Sequence, residues 1–153
     1  MERNQLITQL KNNWERVNPL THDQRALFER LFDCFENIGE LETNLTEGKM
    51  ITALKSGPNE IRKIFDQMLN NNNFLNWLSQ FKEYSPIENN TRKNKEVVIT
   101  DEKDFGTIID AIYTVRNNLR HGKKEYNPRS EKIIRTTNNI LHKIVGGAKL
   151  KYI

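Results

Sequence analysis

The stretch Phe105-Gly106-Thr107-Ile108-Ile109-Asp110-Ala111-Ile112-Tyr113-Thr114-Val115-Arg116-Asn117-Asn118-Leu119-Arg120-His121 decides how this chain folds. Phe105, Ile108, Ile109, Ile112, Val115 and Leu119 recur at three- and four-residue intervals, the stripe of an amphipathic helix. Advancing about 100° per residue from Phe105 puts Arg116 at about 20°, between Ile109 at about 40° and Ile112 at about 340°. An arginine therefore points out of the middle of the apolar face. A guanidinium there is costly unless it is paired or solvated. It either snorkels off the helix end or lines a polar cleft that the stripe shares with a partner.

Working outward, the helical period recurs along most of the chain. Residues 4–17 carry Leu6, Ile7, Leu10, Trp14 and Val17; Asn18-Pro19 breaks that run and Thr21 can cap the next. Residues 22–39 show Leu27, Phe28, Leu31, Phe32, Phe35 and Ile38, a wide apolar face that Gly39 should end. A short helix from Glu47 to Lys55 is closed by Ser56-Gly57-Pro58, with Pro58 placed near the first turn of the next helix. Ile61, Ile64, Phe65, Met68 and Leu69 make that next helix, and Asn70-Asn71-Asn72-Asn73 interrupts it. Phe74, Leu75, Trp77, Leu78 and Phe81 form one more.

Residues 84–101, rich in Asn, Lys and Glu, read as a flexible excursion. Lys95-Glu96-Val97-Val98-Ile99-Thr100 is its strand-like stretch, with nothing evident to pair with inside the monomer. The decisive helix then spans 102–121. Pro128 opens a last one carrying Ile133, Ile134, Ile140, Leu141, Ile144 and Val145, which Gly146-Gly147 should stop. The expectation is an all-α, up-and-down bundle of about five to seven helices, one domain over residues 1–153.

Composition narrows the class. A charged fraction of 29% against 36% hydrophobic suits a small helical protein with much surface, or one that buries more on oligomerising. The single cysteine, Cys34, excludes an internal disulfide and fits a reducing compartment. With no signal-like or membrane-length apolar run, a cytoplasmic protein with no membrane partner is expected. Charge is uneven: residues 116–153 hold ten Lys/Arg against Glu125 and Glu131, a balance of +8 that leaves −4 for residues 1–115. A basic segment of this kind gains affinity for polyanions by releasing their counterions.

That basic third also holds the chemistry. Arg116 can grip two phosphate oxygens and stabilise developing charge, and His121 is a residue type suited to taking or giving a proton. Asn117 adds an amide beside the guanidinium; Arg120, Lys123 and Lys124 add positive charge; Tyr113 and Tyr126 can stack on a base. His22 and His142 stand apart from any ligand-spaced set, so no metal site and no cofactor are expected. Asp101, Glu102 and Asp104 fit the start of a helix.

Arg116 to His121 resembles the R-x4-H signature of HEPN domains, whose polar residue directly after the arginine is matched by Asn117. The similarity runs through R-N-N-L-x-H-G and is best over residues 105–145, where one helix enters the motif and a second packs back. It implies a helical bundle that dimerises so that two motifs face one cleft. Many such proteins are metal-independent endoribonucleases of toxin–antitoxin, abortive-infection and CRISPR-associated systems, leaving 2′,3′-cyclic phosphate ends. By this resemblance Arg116 and His121 are catalytic with Asn117 assisting, and Arg120, Lys123, Lys124 and Tyr126 bind RNA such as tRNA. The resemblance also implies a homodimer with a separate cognate antitoxin or regulator. Toxins adenylylated by a nucleotidyltransferase antitoxin often carry a tyrosine two residues after the histidine; here Lys123 stands there, which weighs against that antitoxin. The same basic face admits a second reading, a non-catalytic module that binds nucleic acid or a partner protein as a regulatory subunit.

Overall fold

The computed structural model describes residues 1–89, 95–121 and 127–153. Helices α1 (Arg3–Glu15), α2 (Gln24–Thr43), α3 (Glu47–Ser56), α4 (Glu60–Met68) and α5 (Asn72–Glu83) lead into a two-stranded hairpin of β1 (Ile87–Glu88) and β2 (Glu96–Val97). Then come α6 (Phe105–His121), α7 (Pro128–Ala148) and a 3₁₀ turn over Lys149–Lys151. The architecture is an all-α bundle. Helices α2 and α7 form its central pair, with α1 against α2 and with α4 and α5 against α7. Helix α6 lies across α3, α2 and the hairpin, so α7 returns chiefly along α2, α5 and α4 rather than along the helix that carries the motif.

Helix starts are set by short polar side chains. Asp23, Asn59, Asn71 and Asn127 each accept a hydrogen bond from the backbone amide three residues on, and a cap of this type contributes about 1 kcal/mol. Asp23 thus caps α2 in place of Thr21, whose hydroxyl instead accepts from the Asp23 amide in the preceding turn. Helices as short as α4 and α5 would not persist alone in water. Packing holds them: all seven phenylalanines are buried, and Phe65 meets Phe74 and Phe105 edge-on at 5.7 and 5.3 Å. Phe28, Phe32 and Phe35 stack in sequence along α2.

Three expectations are corrected. Gly39 does not end α2, which runs on to Thr43 and closes with Asn44 in the left-handed conformation. A Cβ on Gly39 would lie 2.3 Å from Met50 Sδ, so the glycine serves the close approach of α3. Gly146-Gly147 does not stop α7 either; a Cβ on Gly147 would lie 2.7 Å from Ile64 Cγ2, and the missing side chain lets α4 sit against α7. The strand-like stretch, finally, has a partner. Ile87 pairs with Val97 and Glu88 with Glu96, antiparallel, and the Asn89 amide donates to the Lys95 carbonyl at 2.9 Å. Ile87 and Ile99 are buried, and Asn118 of α6 donates from Nδ2 to the Glu88 carbonyl at 2.7 Å, so the hairpin is fastened to the bundle.

The C-terminal turn is tied down through one carboxylate. Glu42, its side chain 7% exposed, accepts from Lys151 Nζ at 2.8 Å, from the Glu60 amide and from the Tyr152 hydroxyl. Among the described residues no helix is long and apolar enough to cross a membrane.

Candidate functional site

Helix α6 has two working faces. Phe105, Ile108, Ile109, Ile112 and Val115 go into the core. Asp110, Tyr113, Thr114, Asn117 and His121 follow the same three- and four-residue spacing around the other side, and all five border one cleft of about 610 Å³. The facing wall is the hairpin, through Asn89, Lys95, Glu96 and Val97, and Gly48 at the start of α3 closes one end beside the Tyr113 hydroxyl.

Arg116 borders this cleft although the helical wheel sets it within the apolar stripe. Its guanidinium carbon lies 5.9 Å from the Phe32 ring centre and 5.6 Å from that of Tyr113. The arginine that the helical wheel sets on the apolar stripe is a cation laid over two aromatic rings at the edge of a cleft. Nη1 donates to Asn117 Oδ1 at 2.9 Å, while Nε is buried with no hydrogen-bond partner among the described residues. Asn117 thus fixes the guanidinium with its oxygen and keeps its amide nitrogen as a donor. His121, the last residue of α6, is exposed at the mouth of the cleft.

The structure brings Arg116, Asn117 and His121 to one cleft and sends Arg120 elsewhere. Arg120 Nη2 lies 3.3 Å from Glu29, 3.6 Å from Asp33 and 3.6 Å from Glu36, all on α2, with its guanidinium carbon 6.0 Å from the Phe32 ring. Burial pushes the Asp33 and Glu36 carboxyls above their ordinary values, and the Arg120 charge works against that shift at both; Arg116 does the same at Glu36. Lys123, Lys124 and Tyr126 lie outside the described residues.

The uneven charge of the sequence is partly cancelled in space. Arg120 is held by acids of α2, and Lys151 by Glu42 of the same helix. Within the cleft, Arg116, Lys95 and His121 face Glu96 and Asp110, and Asp110 is paired with Lys55 at 2.8 Å. His22 is exposed, and His142 packs on Trp14 with ring centres 5.5 Å apart and ring planes tilted by 33°, its pKa lowered by burial and by Lys143. Among the described residues no group of three or more His, Cys, Asp or Glu is arranged to hold a metal ion.

Lys95, Asn89, Asp110 and Thr114 were not singled out from sequence. A polar stripe of Asp110, Thr114, Asn117 and His121 beside the apolar one was a usable signal for the helix face. The hairpin residues carried none. No family model matches this chain, and no curated protein or solved structure matches it significantly.

Proposed function

We propose that this protein is a HEPN-type, metal-independent endoribonuclease, a cytoplasmic toxin or anti-phage defence effector acting on RNA as a homodimer. The observation that carries the reading is the convergence of Arg116, Asn117 and His121 on one cleft. Arg116 is preset for phosphate: its guanidinium lies over two rings, one Nη is oriented by Asn117, and Nε has no partner among the described residues. His121 is exposed and able to exchange protons with a substrate in the cleft mouth.

The reaction needs little else. A base takes the proton from the ribose 2′-hydroxyl as the 2′-oxygen bonds to phosphorus. The bond from phosphorus to the 5′-oxygen breaks, and an acid returns a proton to that oxygen. A 2′,3′-cyclic phosphate and a 5′-hydroxyl result. His121 fills one proton-transfer role, and a second copy of the motif across a dimer cleft fills the other. Arg116 stabilises the charge that gathers on the phosphoryl oxygens, assisted by the amide nitrogen of Asn117.

The alternative is a non-catalytic module that binds nucleic acid or a partner protein, and Asp110 and Glu96 in the same cleft favour its protein-binding form, since carboxylates repel phosphate. His121→Ala separates the two. In a nuclease it abolishes RNA cleavage and leaves RNA affinity within about twofold; in a binding module it changes affinity no more and no less than loss of a neighbouring lysine does.

A further inference from the structure

An RNA strand held at one diester presents further phosphates on either side, and cations placed for them decide how much of the strand is gripped. Arg120, next to His121 in sequence, is not placed for this, because three carboxylates of α2 surround it. Among the described residues, the cation that borders the cleft from outside α6 is Lys95.

Its position follows from the pleat. Side chains alternate along a strand, so Lys95 shares the face of Val97, and Asn89 shares the face of Ile87. Ile87 is buried and Val97 packs against the core, which turns that face toward the bundle. Lys95 and Asn89 continue it one step further, to the rim of the cleft, which Glu96 also borders. The wall is built rather than loose: the Asn89 amide bonds the Lys95 carbonyl, Asn118 bonds the Glu88 carbonyl, and the Ile99 amide donates to Ser85 Oγ at 2.7 Å. Lys95 has no ion pair among the described residues.

We infer that Lys95 binds the phosphate adjacent to the one held by Arg116, so that the cleft grips unpaired RNA through two successive phosphates, one on each wall. This rests on the ribonuclease reading of the cleft. A volume of about 610 Å³ is that of a small-molecule pocket, suited to one splayed nucleotide between the walls and not to a duplex. Tyr113 borders the same cleft, its ring centre 5.6 Å from the Arg116 guanidinium carbon, as a surface on which a base can stack.

The test uses 2′-O-methyl oligonucleotides, which bind but lack the attacking hydroxyl, so binding is read apart from cleavage. Fluorescence anisotropy measures affinity over a salt series for wild type, Lys95→Ala, Lys95→Arg and Lys11→Ala, an exposed lysine of α1 outside the cleft. On a trinucleotide with two phosphates, Lys95→Ala is expected to weaken binding several-fold and to lower the salt slope by about 0.7, the value for one phosphate contact on a single strand. Lys95→Arg should keep the slope, and on a dinucleotide with one phosphate Lys95→Ala should differ from wild type by less than twofold. Equal slopes for wild type and Lys95→Ala on the trinucleotide overturn the assignment, as does an equal loss in Lys11→Ala. Wild type that binds neither oligonucleotide overturns it together with the ribonuclease reading. Binding that follows this pattern without cleavage of the unmodified RNA ends the nuclease reading and leaves Lys95 as a phosphate contact.

Discussion

Arg120→Ala offers a quantitative check on how the end of α6 is held. The guanidinium is 28% exposed, and its partners Glu29, Asp33 and Glu36 are 40, 35 and 28% exposed. Exposed ion pairs are worth about 0.2–1 kcal/mol each, and the roughly 3–5 kcal/mol of a broken buried pair does not apply to groups this wet. Three weak contacts and the guanidinium over Phe32 amount to about 1–2 kcal/mol, a fall in midpoint of about 2–8 °C for a chain of this size. The pH dependence gives the sharper test. Burial raises the Asp33 and Glu36 pKa values, so the folded state binds their protons more tightly than the unfolded state does. That contribution is present below the ordinary carboxylate range and is lost as pH rises through the raised values. Removing Arg120 raises them further, so the deficit of the variant should be largest near pH 7 and close toward about pH 4. Thermal unfolding at both pH values, repeated in a Glu29→Gln, Asp33→Asn, Glu36→Gln background, reads this directly. A deficit of equal size at both pH values, or no deficit near pH 7, refutes the account of Arg120 as an ion-paired anchor.

Other substitutions test the packing and the buried polar groups. Gly147→Ala gains helix propensity but drives a methyl to 2.7 Å from Ile64 Cγ2, so a net loss of about 1–2 kcal/mol is expected by denaturant titration, and it should largely vanish in an Ile64→Ala background, which removes that carbon. Burial alone would raise the Glu42 carboxyl, yet hydrogen bonds from Lys151, Tyr152 and the Glu60 amide hold it below its ordinary value. That stabilisation is present above the unfolded carboxylate pKa and lost as pH falls through the folded one, so Glu42→Gln should cost about 1.5–3 kcal/mol at pH 7 and progressively less in acid. Cys34 is fully buried and its thiol is pushed up to about 12 by burial, so iodoacetamide should leave the native protein unlabelled and modify it only after unfolding; rapid native labelling would contradict the packing around α2.

The helices were legible because their apolar residues keep a 3.6-residue period, and the boundaries were less so for physical reasons. Gly39 and Gly147 look like stops in one dimension, but both sit mid-helix where another helix needs room for Met50 or Ile64. The hairpin was missed because β1 is only Ile87–Glu88, too short to show alternation, and its partner lies across a polar connection. Arg116, Asn117 and His121 could be grouped from sequence since one helix carries all three. The fate of Arg120 could not: its nearest partner, Glu29, is 91 residues away and the acids of α2 announce nothing by spacing. Lys95 was equally silent, as its place depends on a strand pairing that only the fold supplies.

The central claim is that Arg116 and His121 cleave RNA together without a metal. Purified wild type, Arg116→Ala and His121→Ala are incubated with total tRNA and a structured RNA in EDTA, and the fragment ends are analysed. The account predicts fragments ending in 2′,3′-cyclic phosphate from wild type alone, with all three proteins still binding RNA. Cleavage that persists in both variants contradicts it; no cleavage by any of the three while binding is retained contradicts it too, and leaves a helical nucleic-acid-binding module.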